Sequence, residues 1–317
     1  MKPGTVITGK MVTVLKKLGF KYVFDTNFGV DMTIVEEATE LVDRLKNGTG
    51  ALPMFTSCCP AWVNYVEESA PELMPHLSTA KSQMGMLSAV LKDEYPHLKG
   101  VEQKDDEIER KQLYSKTGVK ETDAVITTRE LVKMLKKHKI NLKNLPDTPF
   151  DNVYGESTGA GTIFSYKFFT GHDMKNYDIP QVRGVENGIK LATVDFDGTP
   201  VHFAVAQGIA NAMKLIKKIK IKDADVKDVQ FVEVMACPGG CVCGGGATRA
   251  RNKKIMKARN DAVYAIDKSK EERVSHHNHE LNECYDRFFD GKYSSHKAHE
   301  DLHTHLHSRK QKKKKNN

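Results

Sequence analysis

Phe231-Val-Glu-Val-Met-Ala-Cys237-Pro-Gly-Gly-Cys241-Val-Cys243-Gly-Gly-Gly246 is the stretch that decides how the chain is read. Its apolar, β-branched start (Phe231, Val232, Val234) predicts a buried strand ending in a glycine-dense turn. Glycine lacks a Cβ, so such a turn takes backbone angles closed to other residues and lies close against a bulky ligand. Cys237, Cys241 and Cys243 sit in that turn, and thiolates presented this way suit a soft metal centre, iron–sulfur or zinc. Their spacing is neither the two-residue gap of zinc pairs nor that of redox dithiols. Buried cysteine also serves as a small hydrophobe, and that plainer reading stands beside the metal one.

A second cysteine loop favours the metal. Thr56-Ser57-Cys58-Cys59-Pro60-Ala61-Trp62 follows an apolar stretch from Ala51 to Phe55 and precedes a helical pattern. Pro60 suits the first turn of a helix, which sets the thiols at the positive end of its dipole. Both loops are predicted to follow strands, and α/β folds place their chemistry at that end of a sheet.

Outward from these loops the pattern alternates. Met11, Val14, Leu15 and Leu18 predict a helix over 10–18 that closes at Gly19, and Tyr22 to Phe24 reads as a short strand. Thr33 to Leu45 reads as an amphipathic helix with Thr33 as N-cap; Glu37 and Glu40 fall on one face of it. Taken alone, that pair is a solvated surface feature. Val63 to Ala70 predicts a helix stopped by Pro71, and Met84 to Leu91 another, with Met84, Met86 and Leu87 directed to the core. Asp123 to Leu135 reads as strand then helix, and Asn211 to Lys218 as helix. Leu191 to Phe196 and Val201 to Ala206 form a predicted hairpin through Asp197-Gly198. The glycine-rich run from Tyr154 to Phe164 lacks the Lys-Ser/Thr of a phosphate loop and the dinucleotide glycine spacing. Most of the 13 histidines fall near the end, and His299, His303 and His307 have helical spacing that a metal site would use.

Thr56 to Trp62 and Glu233 to Gly246 resemble the first and third signature motifs of the [FeFe]-hydrogenases, and the resemblance runs from Gly9-Lys10-Met11 to about His307. It implies an α/β fold of two lobes of mixed β-sheet flanked by helices, with the metal site between them and a helical C-terminal tail. The first lobe would span 1–143 and the second 144–252, followed by a small-subunit-like tail over 253–307 and a disordered basic end over 308–317. The implied activity is reversible reduction of protons to H2 with electrons from a ferredoxin-type carrier. The implied cofactor is a [4Fe-4S] cubane joined through a cysteine sulfur to a diiron unit with CO, cyanide and a bridging dithiolate, installed by hydrogenase maturases. By position, Cys59 and Cys237 would ligate the cubane, and Cys241 would ligate it and bridge to the diiron unit. Cys58 would pass protons between Glu37, Glu40 and Ser78 and the dithiolate. Met235 would pack over the diiron unit, and the Lys104 ammonium would face a cyanide.

The chain departs from the pattern in places. Val101 stands where a fourth cubane cysteine is expected, and the strand before it is missing, although Lys104 and Glu107 keep their spacing. Cys243 is a candidate substitute ligand. Ser165 to Asp178 puts aromatic and polar residues in place of a glycine-rich helix; Gln83 replaces a proline, and Ala247-Thr248 a Gln-Pro. The resemblance also implies a first strand upstream of Pro3-Gly4, and no ferredoxin-like cysteine runs supply accessory clusters. These departures define the alternatives: a catalytically impaired, hydrogenase-like iron–sulfur protein for cluster binding or assembly, or a truncated gene product.

Composition bounds the rest. A chain of 317 residues, 39% of them hydrophobic, is ample for a two-lobed core, and no apolar run reaches the length of a membrane span. Met1 is not followed by an apolar leader, so the expected compartment is the cytoplasm or a hydrogen-producing organelle rather than the exterior. Apart from Cys284, the six cysteines sit in the two loops, as expected of metal ligands in a reducing compartment rather than a disulfide framework. The net charge of +8 is partly the Lys310–Lys315 block, which has no aromatic platforms around it to suggest nucleic acid. The remaining surplus would steer an acidic electron carrier.

Overall fold

The computed structural model describes residues 2–94, 122–151, 161–175, 188–250, 252–270 and 273–309. The four strands described are β1 (Met54–Phe55), β2 (Ile189–Phe196), β3 (Thr199–Gln207) and β4 (Phe231–Met235), in the spatial order β1-β4-β3-β2. β4, the strand expected from its β-branched run, lies between β1 and β3 and runs parallel to both. β2 and β3 form the expected antiparallel hairpin, turning at Asp197 (φ 50°) and Gly198 (φ 90°). Positive φ at two successive residues matches the right-handed strand twist.

The helices are α1 (Thr8–Lys17), α2 (Asn27–Asn47), α3 (Pro60–Ser69), α4 (Gln83–Ala89), α5 (Thr128–Lys137), α6 (Gly161–Thr170), α7 (Ile209–Lys220), α8 (Lys253–Ser269), α9 (His279–Phe288) and α10 (His296–Asp301). One sheet face packs Phe55, Ala204, Val232 and Val234 against Trp62 and Val66 of α3 and Leu215 of α7. The other packs Met54, Phe196 and Phe203 against Leu41 of α2 and Tyr166 of α6. Each fully buried Val, Leu or Phe adds roughly 1.5–3 kcal/mol, so helices on both faces hold the sheet firmly. The architecture is the expected α/β arrangement, a mixed sheet flanked by helices.

The C-terminal helices close over α2. Leu281, Tyr285 and Phe289 of this segment share a core with Phe28, Met32 and Val35 of α2 and Met86 of α4. Its last described residues run beside the segment after β1, where the Lys81 N–H donates to Leu302 O (2.9 Å) and the Thr304 N–H to Thr79 O (2.8 Å).

Several local expectations are corrected. α2 begins at Asn27 rather than beyond Thr33, because Phe28 and Met32 are buried and extend the packed face. The Thr33 hydroxyl therefore donates back to Gly29 O (2.9 Å) instead of capping. Gly29 permits this packing, since a Cβ there would lie 2.2 Å from Gln83 O. Tyr22–Phe24 and the residues before α5 join no strand ladder among the described residues; Tyr22, Val125 and Ile126 are exposed. An extended segment becomes a strand only when a partner takes its backbone groups, and Val23 instead shares its N–H and C=O with Asp151. The aromatic stretch from Ser165 begins inside a helix, α6, because Phe164 and Tyr166 bury against α2 and the sheet. Met84 is exposed, unlike Met86 and Leu87.

Candidate metal centre

Because β1 and β4 are parallel neighbours, the chain leaves both at the same edge of the sheet, and the two cysteine loops meet there. Thr56 fastens them: its N–H donates to Val232 O (3.0 Å), and its hydroxyl accepts from the Val234 N–H (3.1 Å). Cys59 is the N-cap of α3, with Pro60 in the first turn, and its carbonyl accepts from the N–H groups of Trp62 and Val63. Beyond β4, Gly239 (φ 78°) and Gly240 (φ 77°) take left-handed angles that coil Cys241–Cys243 into a single 3₁₀ turn.

The sulfur atoms lie against glycines. A Cβ on Gly244 would sit 3.8 Å from Cys237 Sγ, one on Gly239 3.7 Å from Cys243 Sγ, and one on Gly240 3.4 Å from the Met235 sulfur. Cys58, Cys59, Cys237 and Cys243 are half-buried, Cys241 is exposed, and none of the five forms a disulfide among the described residues. Five thiols on two short loops, with no imidazole or carboxylate interleaved in the turn, are a soft donor set that fits an iron–sulfur cluster. Lys104 and Val101 lie outside the described residues.

Glu37 and Glu40 face inward. Ser78, fully buried, lies close to both: its hydroxyl donates to Glu40 Oε2 (2.9 Å) and is near enough to Glu37 to stabilise its charged form. Glu40 accepts further bonds from the Arg44 guanidinium (2.6 Å) and the Thr79 N–H (3.0 Å). Glu37 Oε1 is buried with no hydrogen-bond partner. Burial chiefly, then the charges of Glu40 and Glu233, push the Glu37 carboxyl up to about 8. Burial also raises the Cys58 thiol, with Glu37, Glu233 and Cys241 adding to it. Cys58 is therefore held as a neutral thiol next to a carboxyl that changes protonation near neutral pH. The structure thus brings Cys58, Glu37, Ser78 and Glu40 near one another.

Sequence reasoning missed Arg44, although its i+4 position from Glu40 was a readable signal. It also missed Glu233, which no local pattern marks. The helical histidine trio is corrected: α10 ends at Asp301, so His303 lies beyond it. His303 instead bonds Glu36 through Nε2 (2.9 Å) and Thr79 through Nδ1 (2.7 Å).

The family described as iron-only hydrogenase large subunit, C-terminal domain, matches residues 1–245, and iron hydrogenase small subunit matches 253–309. The chain belongs to the iron-only hydrogenase family, its large-subunit domain followed by a small-subunit module. It is 40% identical to iron hydrogenase 1 of Clostridium pasteurianum, over 95% of this chain and 56% of that protein. It thus spans little more than half the length of this curated relative. A solved variant of the [FeFe]-hydrogenase HydA1 from Chlamydomonas reinhardtii superposes with a TM-score of 0.83 at 34% identity, covering 97% of this chain and 90% of that one. The cytosolic Fe-S cluster assembly factor narfl of Danio rerio is 28% identical, over 95% of this chain and 80% of its own.

Proposed function

We propose that this chain is the catalytic portion of an [FeFe]-hydrogenase, interconverting protons and H2 with electrons from a ferredoxin-type carrier. The observation that carries the reading is the run of groups from Cys58 through Glu37 and the buried Ser78 to Glu40, largely withdrawn from solvent.

Cys59, Cys237 and Cys241 would hold a [4Fe-4S] cubane, with Cys243 as the fourth thiol in place of the residue at Val101. Bound there with its diiron unit (CO, cyanide and a bridging dithiolate), the group supplies the redox chemistry of H2. The protein's part is to move protons through a dry interior. Cys58 offers or takes a proton at Sγ. Glu37 exchanges it at a carboxyl poised near neutrality, the Ser78 hydroxyl gives one proton as it accepts another, and Glu40 releases it beside Arg44. Met235 would pack against the diiron unit and Lys104 would face a cyanide. Hydrogenase maturases would install the group, in the cytoplasm or a hydrogen-producing organelle. No helix among the described residues is long and apolar enough to cross a membrane.

A second reading, an iron–sulfur protein of cluster assembly, is favoured by Val101 at the expected cysteine position and by the likeness to narfl. Anaerobic co-expression with maturases separates the two. H2 evolution from reduced viologen supports the hydrogenase, whereas a cubane signal without H2 supports the assembly protein. In the same preparations Cys243→Ser should lower bound iron and sulfide; unchanged content would remove Cys243 from the ligand set.

A further inference from the structure

A second donor cluster lies where the C-terminal module meets the large-subunit domain. Asp173 follows α6, after Gly171 (φ 85°) turns the chain off the helix end. His276 and His277 form the short 3₁₀ turn before α9. Both imidazoles aim Nε2 at the same carboxylate oxygen: Asp173 Oδ1 is 2.6 Å from His276 and 3.7 Å from His277. The ligand atoms of the three residues all lie within 4.8 Å of one another. Lys167 occupies the other oxygen, Oδ2, at 3.3 Å, which leaves Oδ1 to the histidines.

We propose that Asp173, His276 and His277 bind one divalent transition-metal ion, Zn2+ foremost, which staples the C-terminal module to the large-subunit domain.

Two imidazoles and a carboxylate are donors of the kind Zn2+ takes, and they contain no thiolate that iron–sulfur chemistry would claim. Zinc bonds to N and O are roughly 2.0–2.2 Å, so tetrahedral ligand atoms lie roughly 3.5 Å apart. Drawing the present triad onto one ion takes only a small movement of Asp173 and His277. The rings are set edge to face, centroids 4.5 Å apart and planes at 74°, so they approach a common point from different directions. A cavity of ≈ 540 Å³ opens beside them, lined by Phe164, Phe168 and Tyr293 among others, with room for a water in the fourth position.

Protonation suits the proposal. A metal takes neutral imidazole and ionised carboxylate. His276 is held below its usual value, burial being the main cause, with the neighbouring His277 and Lys167 adding to it against Asp173. Its Nδ1 is buried without a partner, so a ring bound through Nε2 carries an uncompensated Nδ1–H, a cost the metal bond must outweigh. Asp173 is held below the usual carboxylate range, first by the His276 hydrogen bond. The Lys167 ammonium opposes a divalent ion, so affinity rests on the three ligands converging. The staple joins residues in the two separately matched family segments, 1–245 and 253–309.

The test uses iron-loaded protein, so that the cysteines are already taken, and Zn2+ as the probe. Calorimetric titration should give one more equivalent of Zn2+ in the wild type than in His277→Ala or Asp173→Asn. Both positions are exposed, so these variants keep the fold. Zinc-edge absorption should show an oxygen–nitrogen shell, and Zn2+ should raise the thermal midpoint of the wild type only. Equal stoichiometry in wild type and His277→Ala, or a shell of sulfur alone, would overturn the site.

Discussion

On α2, Glu36 turns toward the C-terminal module and Glu37 toward the cysteine loops, and the two neighbouring carboxylates are driven in opposite directions. Burial acts to raise both. At Glu36 it is outweighed by the hydrogen bond and charge of His303, then by the Tyr285 hydroxyl (2.6 Å) and the Ser294 N–H (3.0 Å), leaving the carboxyl below its usual value. At Glu37 one oxygen lacks a partner, the nearest charges are negative, and the carboxyl rises to about 8. The difference lies in partners, not depth. A fully partnered buried carboxylate is a fixed charge that ties segments together, whereas an under-partnered one is free to exchange a proton.

The sharpest way to break this contrast is to neutralise each member in turn. In maturase-loaded protein, Glu37→Gln should cut H2 evolution by about 10²–10⁴-fold, the range of a lost general acid–base group, with iron content unchanged. Glu36→Gln should act through folding instead, and equal kinetic losses in both variants would erase the distinction. His303→Ala should cost about 1–3 kcal/mol in denaturant unfolding, because the buried Glu36 carboxylate loses one hydrogen-bond partner while keeping Tyr285 and Ser294.

The pH dependence of stability should separate the pair by sign. Glu36, with its lowered value, contributes stability present above the ordinary carboxylate range and lost as pH falls through its folded value. Glu37 binds a proton in the folded state that the unfolded chain has released between about 4.5 and about 8, so its contribution fades as pH rises through that window. Thermal midpoints of Glu37→Gln should gain on the wild type from pH 5 to pH 8; a constant offset would show that Glu37 titrates normally. The smallest effect is expected at Ser78→Ala, where Glu40 keeps Arg44 and Thr79. Losing the hydroxyl that relays between Glu37 and Glu40 should slow H2 evolution about 10²-fold, the low end for a lost proton-transfer group, with iron content unchanged.

What the sequence revealed was local. The strand at Phe231, the glycine turn after it, the Asp197-Gly198 hairpin and the Pro60 helix start are each encoded within a few residues. The motif resemblance extended that reading to Ser78 and to Glu37 and Glu40, a pair that taken alone pointed to a solvated surface. The partnering of Glu36 could not be read, because Tyr285, Ser294 and His303 reach it only once the C-terminal segment has folded back over α2. Helical spacing misassigned His303 for the same reason: the chain leaves α10 before reaching it. Tyr22–Phe24 and Val125–Ile126 have strand composition, but composition does not supply a ladder partner.

The central claim is that Glu37 carries protons to an iron–sulfur site in this chain. Its most direct test is H2 evolution by wild type and Glu37→Gln, loaded anaerobically with maturases and matched for iron content. The account predicts an active wild type and a variant at least about a hundredfold slower with the same iron. A fully loaded wild type that evolves no H2, or a variant as fast as the wild type, would contradict it.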